Sequence, residues 1–213
     1  MGQLVDGVWQ QDGVRAKDGQ FIRPTTRFRN WVTPDGSPGP SGEGGFAAEA
    51  GRYHLYVSLS CPWAHRTVIF RKLKGLENVV SMSTVSPDML KDGWTFNKAE
   101  GSTGDEVNGK SKLSEIYLLT DPRYSGRVSV PVLWDKKRKT IVNNESPEII
   151  RMLNSAFNAF TNIYTDYYPE KLRPDIDRLN NLIYPNINNG VYRAGFATSQ
   201  AAYEAALDRK SVV

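Results

Sequence analysis

The sequence predicts an α/β domain followed by an all-helical region, and three patterns lead to this prediction. A β-prone run, an apolar-periodic helix and a second β-prone run follow one another over residues 53–85, as in a βαβ unit. Residues 128–160 have the pattern of a β-hairpin and a further helix. After residue 160 the apolar residues recur at helical spacing. The expected order is therefore βαβ, an insertion, ββα and then helices.

Composition excludes several classes of protein. The chain has 213 residues, 39% of them hydrophobic, which suffices for a buried core. Its 27 Lys and Arg against 23 Asp and Glu give a net charge of +4, too small to indicate nucleic-acid binding. One Cys and two His cannot form a disulfide framework or a Cys-rich zinc site, and neither a signal-peptide pattern nor a bilayer-spanning apolar stretch is found. We therefore expect a cytoplasmic protein with no metal, no nucleic acid and no membrane partner.

The first fifty residues differ from the rest in composition. Residues 33–45 are so rich in Gly, Pro and Ser that they predict neither a helix nor a strand. The aromatic residues Phe21, Phe28 and Trp31 come just before this stretch. They indicate a segment that wraps onto a folded body, although the composition also allows a mobile arm.

The elements of the βαβ unit follow from local signals. Residues 53–59 are β-prone, Ser60 suits a helix cap, Pro62 suits the first helical turn and Gly75 marks the helix end. Residues 79–85 then predict the second strand.

The insertion and the ββα part come next. The connection over residues 87–124 is long and polar and contains a short predicted helix at 113–119. A connection of this length usually carries a function or a small element of its own. The hairpin strands are expected at 128–134 and 140–142, and Ser146-Pro147 suits the cap and first position of the next helix.

The remaining residues predict helices. The apolar residues of 172–183 lie on one helical face, and residues 184–190 read as a turn. Ser199 can cap a last helix over residues 200–208.

Cys61 is the first candidate for chemistry. Because it lies between a predicted strand and helix, its thiol is at a helix N-terminus, where backbone N–H groups and the helix dipole stabilise a thiolate nucleophile. Residues 60–66 look like a thioredoxin-type redox motif in which Ala64 stands where a second Cys could be. An adduct on Cys61 must then be resolved by an external thiol. A buried, inert Cys and a Cys–His protease pair with His65 are the alternatives.

Val130-Pro131 is the second candidate. Proline inside a predicted strand costs a ladder hydrogen bond and so needs a reason. An X-Pro bond at this place is often cis and turns the backbone of Val130 outward, free to pair with an extended ligand such as a peptide. An ordinary edge-strand proline is the alternative.

Glu145-Ser146 is the third candidate. A serine at a helix N-terminus offers a hydroxyl and amide N–H groups to a carboxylate, and Glu145 can hold an ammonium group. A ligand with both charges is an α-amino-acid head, as at the γ-glutamyl end of glutathione. An ordinary helix cap is the alternative, and the basic turn at 136–139 reads as a solvated loop.

Together these residues resemble the glutathione transferase superfamily, and within it the glutathionyl-hydroquinone reductases, or xi class. The matching pieces span residues 21 to about 205 and are Phe28-Arg29-Asn30-Trp31-Val32, Ser60-Cys61-Pro62-Trp63-Ala64-His65-Arg66, Asp92-Gly93-Trp94, Val130-Pro131-Val132-Leu133-Trp134-Asp135, Asn143-Asn144-Glu145-Ser146 and Asn189-Gly190-Val191-Tyr192-Arg193-Ala194-Gly195-Phe196. The first of these pieces separates the class from omega-class relatives.

The resemblance implies three parts and a set of ligands. The parts are an N-terminal extension (1–50), a thioredoxin-like glutathione-binding domain (51–160) and a helical glutathione-transferase domain (161–213) that is short for the family. The ligands are glutathione as co-substrate and glutathionylated hydroquinones, and full-length members imply a homodimer. The residues implied to bind glutathione are Trp94, Arg127, Val128, Val130, Pro131, Glu145 and Ser146. Cys61 is implied as the nucleophile and Tyr192 as the proton donor near the quinone pocket.

The implied reaction reduces glutathionyl-hydroquinones through a mixed disulfide of Cys61 and glutathione, and a second glutathione then leaves as oxidised glutathione. An omega-like thioltransferase or dehydroascorbate reductase uses the same Cys61 with a different acceptor. A non-catalytic glutathione-binding module is a further alternative because the helical part is short, and for the same reason we expect weak turnover from this chain.

Overall fold

The computed structural model describes residues 2–11, 16–23 and 25–207. The chain divides into two compact units, one of Met1–Asp12 and Thr26–Tyr167 and the other of Gly13–Thr25 and Tyr168–Val213. The predicted boundaries after residues 50 and 160 stay predictions.

The first unit contains both strands and helices, and the second is mainly helical. The described strands are β1 (Gly2–Val5), β2 (Val8–Gln11), β3 (Ala16–Lys17), β4 (Gln20–Phe21), β5 (Tyr53–Val57), β6 (Ser81–Thr84), β7 (Gly126–Arg127), β8 (Val132–Asp135) and β9 (Thr140–Asn143). The described α-helices are α1 (Pro62–Leu73), α2 (Leu113–Thr120), α3 (Ser146–Ser155), α4 (Arg173–Ile183), α5 (Gly190–Gly195) and α6 (Gln200–Leu207).

A four-stranded mixed sheet forms the centre of the first unit. Its strand order is β6-β5-β8-β9, with β5 parallel to β6 and β8 antiparallel to both of its neighbours. All five residues of β5 are buried, which explains why the run was β-prone without polar alternation. The predicted βαβ-ββα order is confirmed, with α1 and α3 packed against each other and α2 packed against β9.

The core of this unit is built from aromatic and branched side chains. Leu55, Trp134, Leu153 and Phe157 are fully buried. Each contributes about 1.5–3 kcal/mol through removal of apolar surface from water. The core fixes the ends of β5, β8 and β9, and the candidates Cys61, Val130 and Glu145 lie just beyond these strands.

The N-terminal segment is wrapped onto the first unit rather than free of it. β1 is the middle strand of a second sheet, where it pairs antiparallel with both β2 and β7. The Asn30 N–H donates to the Val142 carbonyl at 3.0 Å, and Phe46 is 1% exposed. Of the two sequence alternatives, the wrap is the one observed for residues 26–50.

Several expected boundaries differ from the structure, and three of these differences involve candidate residues or their neighbours. The strand expected over 128–134 is shorter, because Pro131 has no N–H for the ladder and β8 begins at Val132. Cys61, not Ser60, is the residue that precedes α1, so the helix starts one residue later than the cap signal suggested. Glu145, not Ser146, precedes α3, which therefore begins one residue earlier.

The second unit is more helical than expected. A 3₁₀ turn at Glu170–Leu172 leads into α4, and the segment expected as a turn continues as a π-helical stretch at Tyr184–Asn188. The turn prediction was wrong because Pro185 lies early in this stretch, where its missing N–H is tolerated. Ser199 accepts a hydrogen bond from the Ala202 N–H at 3.3 Å, as its predicted cap role requires. Asp208, the expected helix end, lies outside the described residues. Among the described residues, no helix combines the length and apolarity that crossing a membrane requires.

Candidate active site

Cys61 lies where β5 turns into α1. Its backbone is extended, with φ −94° and ψ 114°, and Pro62 opens the helix behind it. No acidic residue occupies the first helical turn, so nothing there opposes a negative charge on sulfur. The half-buried thiol points towards the carbonyl oxygen of Val130, with 3.8 Å between sulfur and oxygen. The structure thus brings together two of the sequence candidates. His65, the possible partner in a protease reading, is exposed on α1.

The segment beside the thiol contains the Val130–Pro131 peptide bond, which is cis. Val128, Val130 and Pro131 are all buried, and the segment lies outside the ladder of β8. No hydrogen bond from the Val130 N–H to another described residue is found. The Val130 N–H is therefore available for pairing, and its pairing with an extended ligand stays a prediction.

The start of α3 holds Glu145 and Ser146. The Ser146 side chain is 2% exposed overall, and its buried hydroxyl has no hydrogen-bond partner among the described residues. The Glu145 N–H donates to Asn143 Oδ1 at 2.7 Å, and the Glu145 carboxylate accepts from Thr26 Oγ1 at 3.1 Å. Buried polar groups are nearly always paired, so the unpaired Ser146 hydroxyl fits a group that arrives with a ligand.

An ion pair fixes the loop before α3. Arg29 Nε donates to Glu148 Oε2 at 2.8 Å, and a second Arg29 nitrogen bonds the other carboxylate oxygen. The hydrogen bond with Glu148 raises the pKa of Arg29. Asn143 Nδ2 also donates to Glu148 Oε2 at 2.7 Å, and to the Asn30 carbonyl at 2.9 Å. Two of the motifs noted in the sequence therefore meet at this loop.

Tyr117 was not identified from the sequence. Its hydroxyl donates to the Ser129 carbonyl at 2.8 Å and accepts from the Ser129 N–H at 3.2 Å and from Asn144 Nδ2 at 3.1 Å. Burial raises the pKa of this phenol. Phe28 and Tyr124 pack against the ring, with centroids 5.7 and 5.1 Å away. One of ten tyrosines inside a short helix carries no local signal of such a role.

Trp94 and Arg127 lie on two other segments of the same unit. Trp94 is half-buried, and its carbonyl accepts from the N–H of Leu113 at 2.9 Å. Arg127 is in β7 opposite Gln3, and one of its guanidinium nitrogens donates to the Gly2 carbonyl at 3.2 Å. The N-terminal sheet therefore positions the Arg127 segment.

Tyr192 lies in α5 of the second unit. Its half-buried ring stacks on Phe21 at 6.4 Å and contacts Phe196 at 6.2 Å between centroids. The guanidinium carbon of Arg23 is 5.9 Å from the same ring centroid. Phe21 thus packs against a helix, as its aromatic character predicted.

No metal-binding site is found in the described part of the chain. No group of three or more His, Cys, Asp or Glu there is arranged to hold an ion.

Comparison with known proteins shows which proteins this chain resembles. Residues 60–156 match the model of the glutathione S-transferase N-terminal domain. The chain is 59% identical to glutathionyl-hydroquinone reductase YqjG of Escherichia coli and 47% identical to glutathionyl-hydroquinone reductase PcpF of Sphingobium chlorophenolicum, over 97% of its length in each case. Over the length that they share, this chain is similar to glutathione transferases, among them xi-class proteins. The resemblance noted in the sequence is thereby confirmed.

Solved structures agree on the fold. The glutathione-bound structure of YqjG from Escherichia coli superposes with a TM-score of 0.88 at 56% identity, covering 99% of this chain and 64% of that one. A xi glutathione transferase from Phanerochaete chrysosporium gives a TM-score of 0.84 at 48% identity, covering 90% and 60%. The fold is that of a glutathione transferase, with a thioredoxin-like α/β part and a helical part. The chain spans 64% and 63% of the lengths of YqjG and PcpF.

Proposed function

We propose that this chain catalyses the glutathione-dependent reduction of glutathionyl-hydroquinones to hydroquinones. The observation that carries the proposal is the Cys61 thiol, half-buried at the start of α1 and 3.8 Å from the carbonyl of Val130 beside the cis-proline. Glutathione is bound in the structure of the Escherichia coli relative, and two relatives bear the name of this activity.

Glutathione is held by backbone and side chains in this proposal. The Val130 backbone pairs with the cysteinyl part of the tripeptide, and Val128 and Pro131 shape the wall behind it. The Glu145 carboxylate holds the γ-glutamyl ammonium group. The Ser146 hydroxyl, unpaired in the described structure, donates to the γ-glutamyl carboxylate. Trp94 and Arg127 complete the site, as the family resemblance implies.

The first step transfers the glutathionyl group to the enzyme. The Cys61 thiolate attacks the sulfur of the glutathionyl-hydroquinone, so an S–S bond forms and the sulfur–carbon bond breaks. The aromatic carbon leaves with the electron pair and takes up a proton, which gives the free hydroquinone. Both sulfurs are oxidised to the disulfide level while the carbon is reduced.

The leaving carbon needs an acid because an aryl carbanion is a poor leaving group. Tyr192 supplies this proton in the proposal, and tautomerisation of the hydroquinone to its keto form assists it. Packing of the Tyr192 ring on Phe21 and Phe196 limits the positions that its hydroxyl can take.

A second glutathione completes the cycle. Its thiolate attacks the Cys61–glutathione disulfide, oxidised glutathione leaves and the Cys61 thiolate is restored. The net reaction consumes one glutathionyl-hydroquinone and one glutathione and yields one hydroquinone and one oxidised glutathione. Since Cys61 is the only cysteine of the 213-residue sequence, an internal disulfide cannot compete with this route.

We further propose that the protein works in the cytoplasm, as its composition indicates, and that it forms a homodimer, as the family resemblance implies. Reducing surroundings keep its single thiol free and supply glutathione. Light scattering on the purified chain should give twice the mass of 23.9 kDa, and a monomer would contradict the dimer.

The decisive experiment incubates the 213-residue chain with glutathionyl-menadiol and glutathione. Mass spectrometry should show one glutathionyl group on Cys61 and release of free menadiol. Cys61→Ser should abolish both, while His65→Ala, an exposed neighbour on the same helix, should retain both. Release of menadiol by Cys61→Ser at the rate of the original chain would contradict the proposal.

The same preparation separates the rival reactions. Tyr192→Phe should slow menadiol release strongly and leave reduction of a glutathione mixed disulfide nearly unchanged, because a thiolate leaving group needs little proton assistance. Equal slowing of both reactions would contradict the role of Tyr192. Disulfide or dehydroascorbate reduction without menadiol release would favour the omega-like reading, and binding without either reaction would favour a non-catalytic module.

A further inference from the structure

The hydroxyl of Tyr117 joins the two loops that hold the proposed glutathione contacts. We propose that Tyr117 is a positioning residue for glutathione: it sets the distance between the Ser129–Pro131 segment and the Asn144–Ser146 segment. This inference rests on the proposed function, because it concerns the same site. It assigns a role to a residue that touches neither the thiol nor the ligand in the binding scheme above.

The hydroxyl uses its full hydrogen-bonding capacity for this purpose. A phenol has one donor and two acceptor positions. The donor is directed to the Ser129 carbonyl at 2.8 Å, and the acceptor positions receive the Ser129 N–H at 3.2 Å and Asn144 Nδ2 at 3.1 Å, while Ser129 Oγ lies at the longer distance of 3.4 Å. Two bonds therefore fix one loop and the third fixes the other.

Each bonded residue is next to a proposed glutathione contact. Ser129 precedes Val130, whose N–H and carbonyl would pair with the tripeptide, and Asn144 precedes Glu145-Ser146. Both loops lie outside the β-ladders, since β8 begins at Val132 and β9 ends at Asn143. The β8–β9 ladder fixes the strand ends beside the two loops, with Leu133 opposite Asn143, and Tyr117 adds a side-chain contact to both loops.

The tyrosine itself is a rigid support. It is fully buried in α2, and that helix packs against β9. Its ring is held by Phe28 and Tyr124. The Asn144 side chain is anchored by the tyrosine through Nδ2, while its Oδ1 is buried and unpaired among the described residues.

Tyr56 offers a matched control elsewhere in the same unit. It is also fully buried, and its hydroxyl donates to Asp105 Oδ1 at 2.8 Å and accepts from Asn108 Nδ2 at 2.9 Å. Its partners lie at residues 105–108, where no glutathione contact is proposed. Tyr117→Phe and Tyr56→Phe therefore each remove one buried hydroxyl, but only the first loosens the proposed binding loops.

The experiment compares glutathione dissociation constants, measured by calorimetry on the 213-residue chain, with the Tm of each variant. The Tm of the two variants should fall by similar amounts. Tyr117→Phe should raise the dissociation constant for glutathione about tenfold, which corresponds to one lost hydrogen bond, and Tyr56→Phe should change it less than twofold. The rate at which iodoacetamide alkylates Cys61 should stay within twofold of the rate in the original chain for both variants, because Tyr117 does not contact the thiol.

A second variant keeps the inference testable if Tyr117→Phe does not fold. Asn144→Ala removes only the link to the second loop and should weaken glutathione binding on its own. Where both single variants fold, the double variant should bind about as weakly as the weaker single one, because both act through one link. Multiplied effects, or unchanged affinity in Tyr117→Phe, would overturn the inference. No glutathione binding by the original chain would instead overturn the proposed function and the inference with it.

Discussion

Removal of the Ser146 hydroxyl should affect stability and ligand binding in opposite ways. In the described structure this hydroxyl is buried without a partner. Ser146→Ala deletes an unsatisfied polar group, so the free energy of unfolding should stay the same or rise by up to about 1 kcal/mol. If the hydroxyl donates to a glutathione carboxylate, a charged hydrogen bond of about 1.5–3 kcal/mol is lost, and the dissociation constant should rise about 10- to 150-fold.

Ser102→Ala is the control for this change. Ser102 is also buried, but its hydroxyl donates to the Thr84 carbonyl at 2.6 Å and accepts from the Gly104 N–H at 2.9 Å. This variant should lose about 1–2 kcal/mol of stability and keep its glutathione affinity. Urea denaturation and isothermal calorimetry measure the two quantities. A Ser146→Ala variant that binds glutathione within twofold of the original, or that loses stability as Ser102→Ala does, would refute the reasoning.

Two further changes test the scaffold. Burial and the nearby Lys136 lower the pKa of His54 to about 4. In the unfolded chain its pKa is about 6.5, so below that pH the unfolded chain binds a proton that the folded chain does not. The free energy of unfolding should therefore be highest above pH 6.5 and fall by about 2 kcal/mol from pH 8 to pH 5. Urea denaturation should show that His54→Asn lacks this part of the pH dependence, and an equal fall in that variant would contradict the assignment. At Gly93 the backbone has φ +70° and a Cβ would lie 2.7 Å from the ring of Trp9, whereas Gly109, at φ +64°, has open space around it. Gly93→Ala should therefore lose about 1–3 kcal/mol more than Gly109→Ala in thermal denaturation, and equal losses would show that the Trp9 contact is unimportant.

The parts of the fold predicted from the sequence are those with short-range signals. The strand before Cys61, the proline after it and the apolar spacing of α1 all lie within about twenty residues. Ser146-Pro147 likewise indicated the start of α3 to within one residue. Local propensity and capping determine such features, so the positions of Cys61 and Ser146 at helix starts followed from the chain itself.

The parts that were not predicted depend on contacts between distant residues. β1 pairs with Arg127 and Gly126 across more than a hundred residues, and no periodicity of the Gly-rich N-terminus encodes that partner. The Thr26 hydroxyl likewise donates a hydrogen bond to the carboxylate of Glu145, which is 119 residues away in the sequence. Tyr117 is a further case, because the partners of its hydroxyl become neighbours only when the sheet has formed.

These long-range contacts follow from the demands of the proposed chemistry. A backbone that pairs with a tripeptide must leave its own N–H and carbonyl outside the ladder, and Val130 does so. Such a segment loses the hydrogen bonds that normally position a strand, so neighbouring side chains must hold it. The Tyr117 hydroxyl holds one side of the site and the Arg29–Glu148 pair holds the loop before α3. The sequence motifs indicated the candidate contacts, which stay predictions, whereas the role proposed for Tyr117 depends on distant partners and carries no local signal.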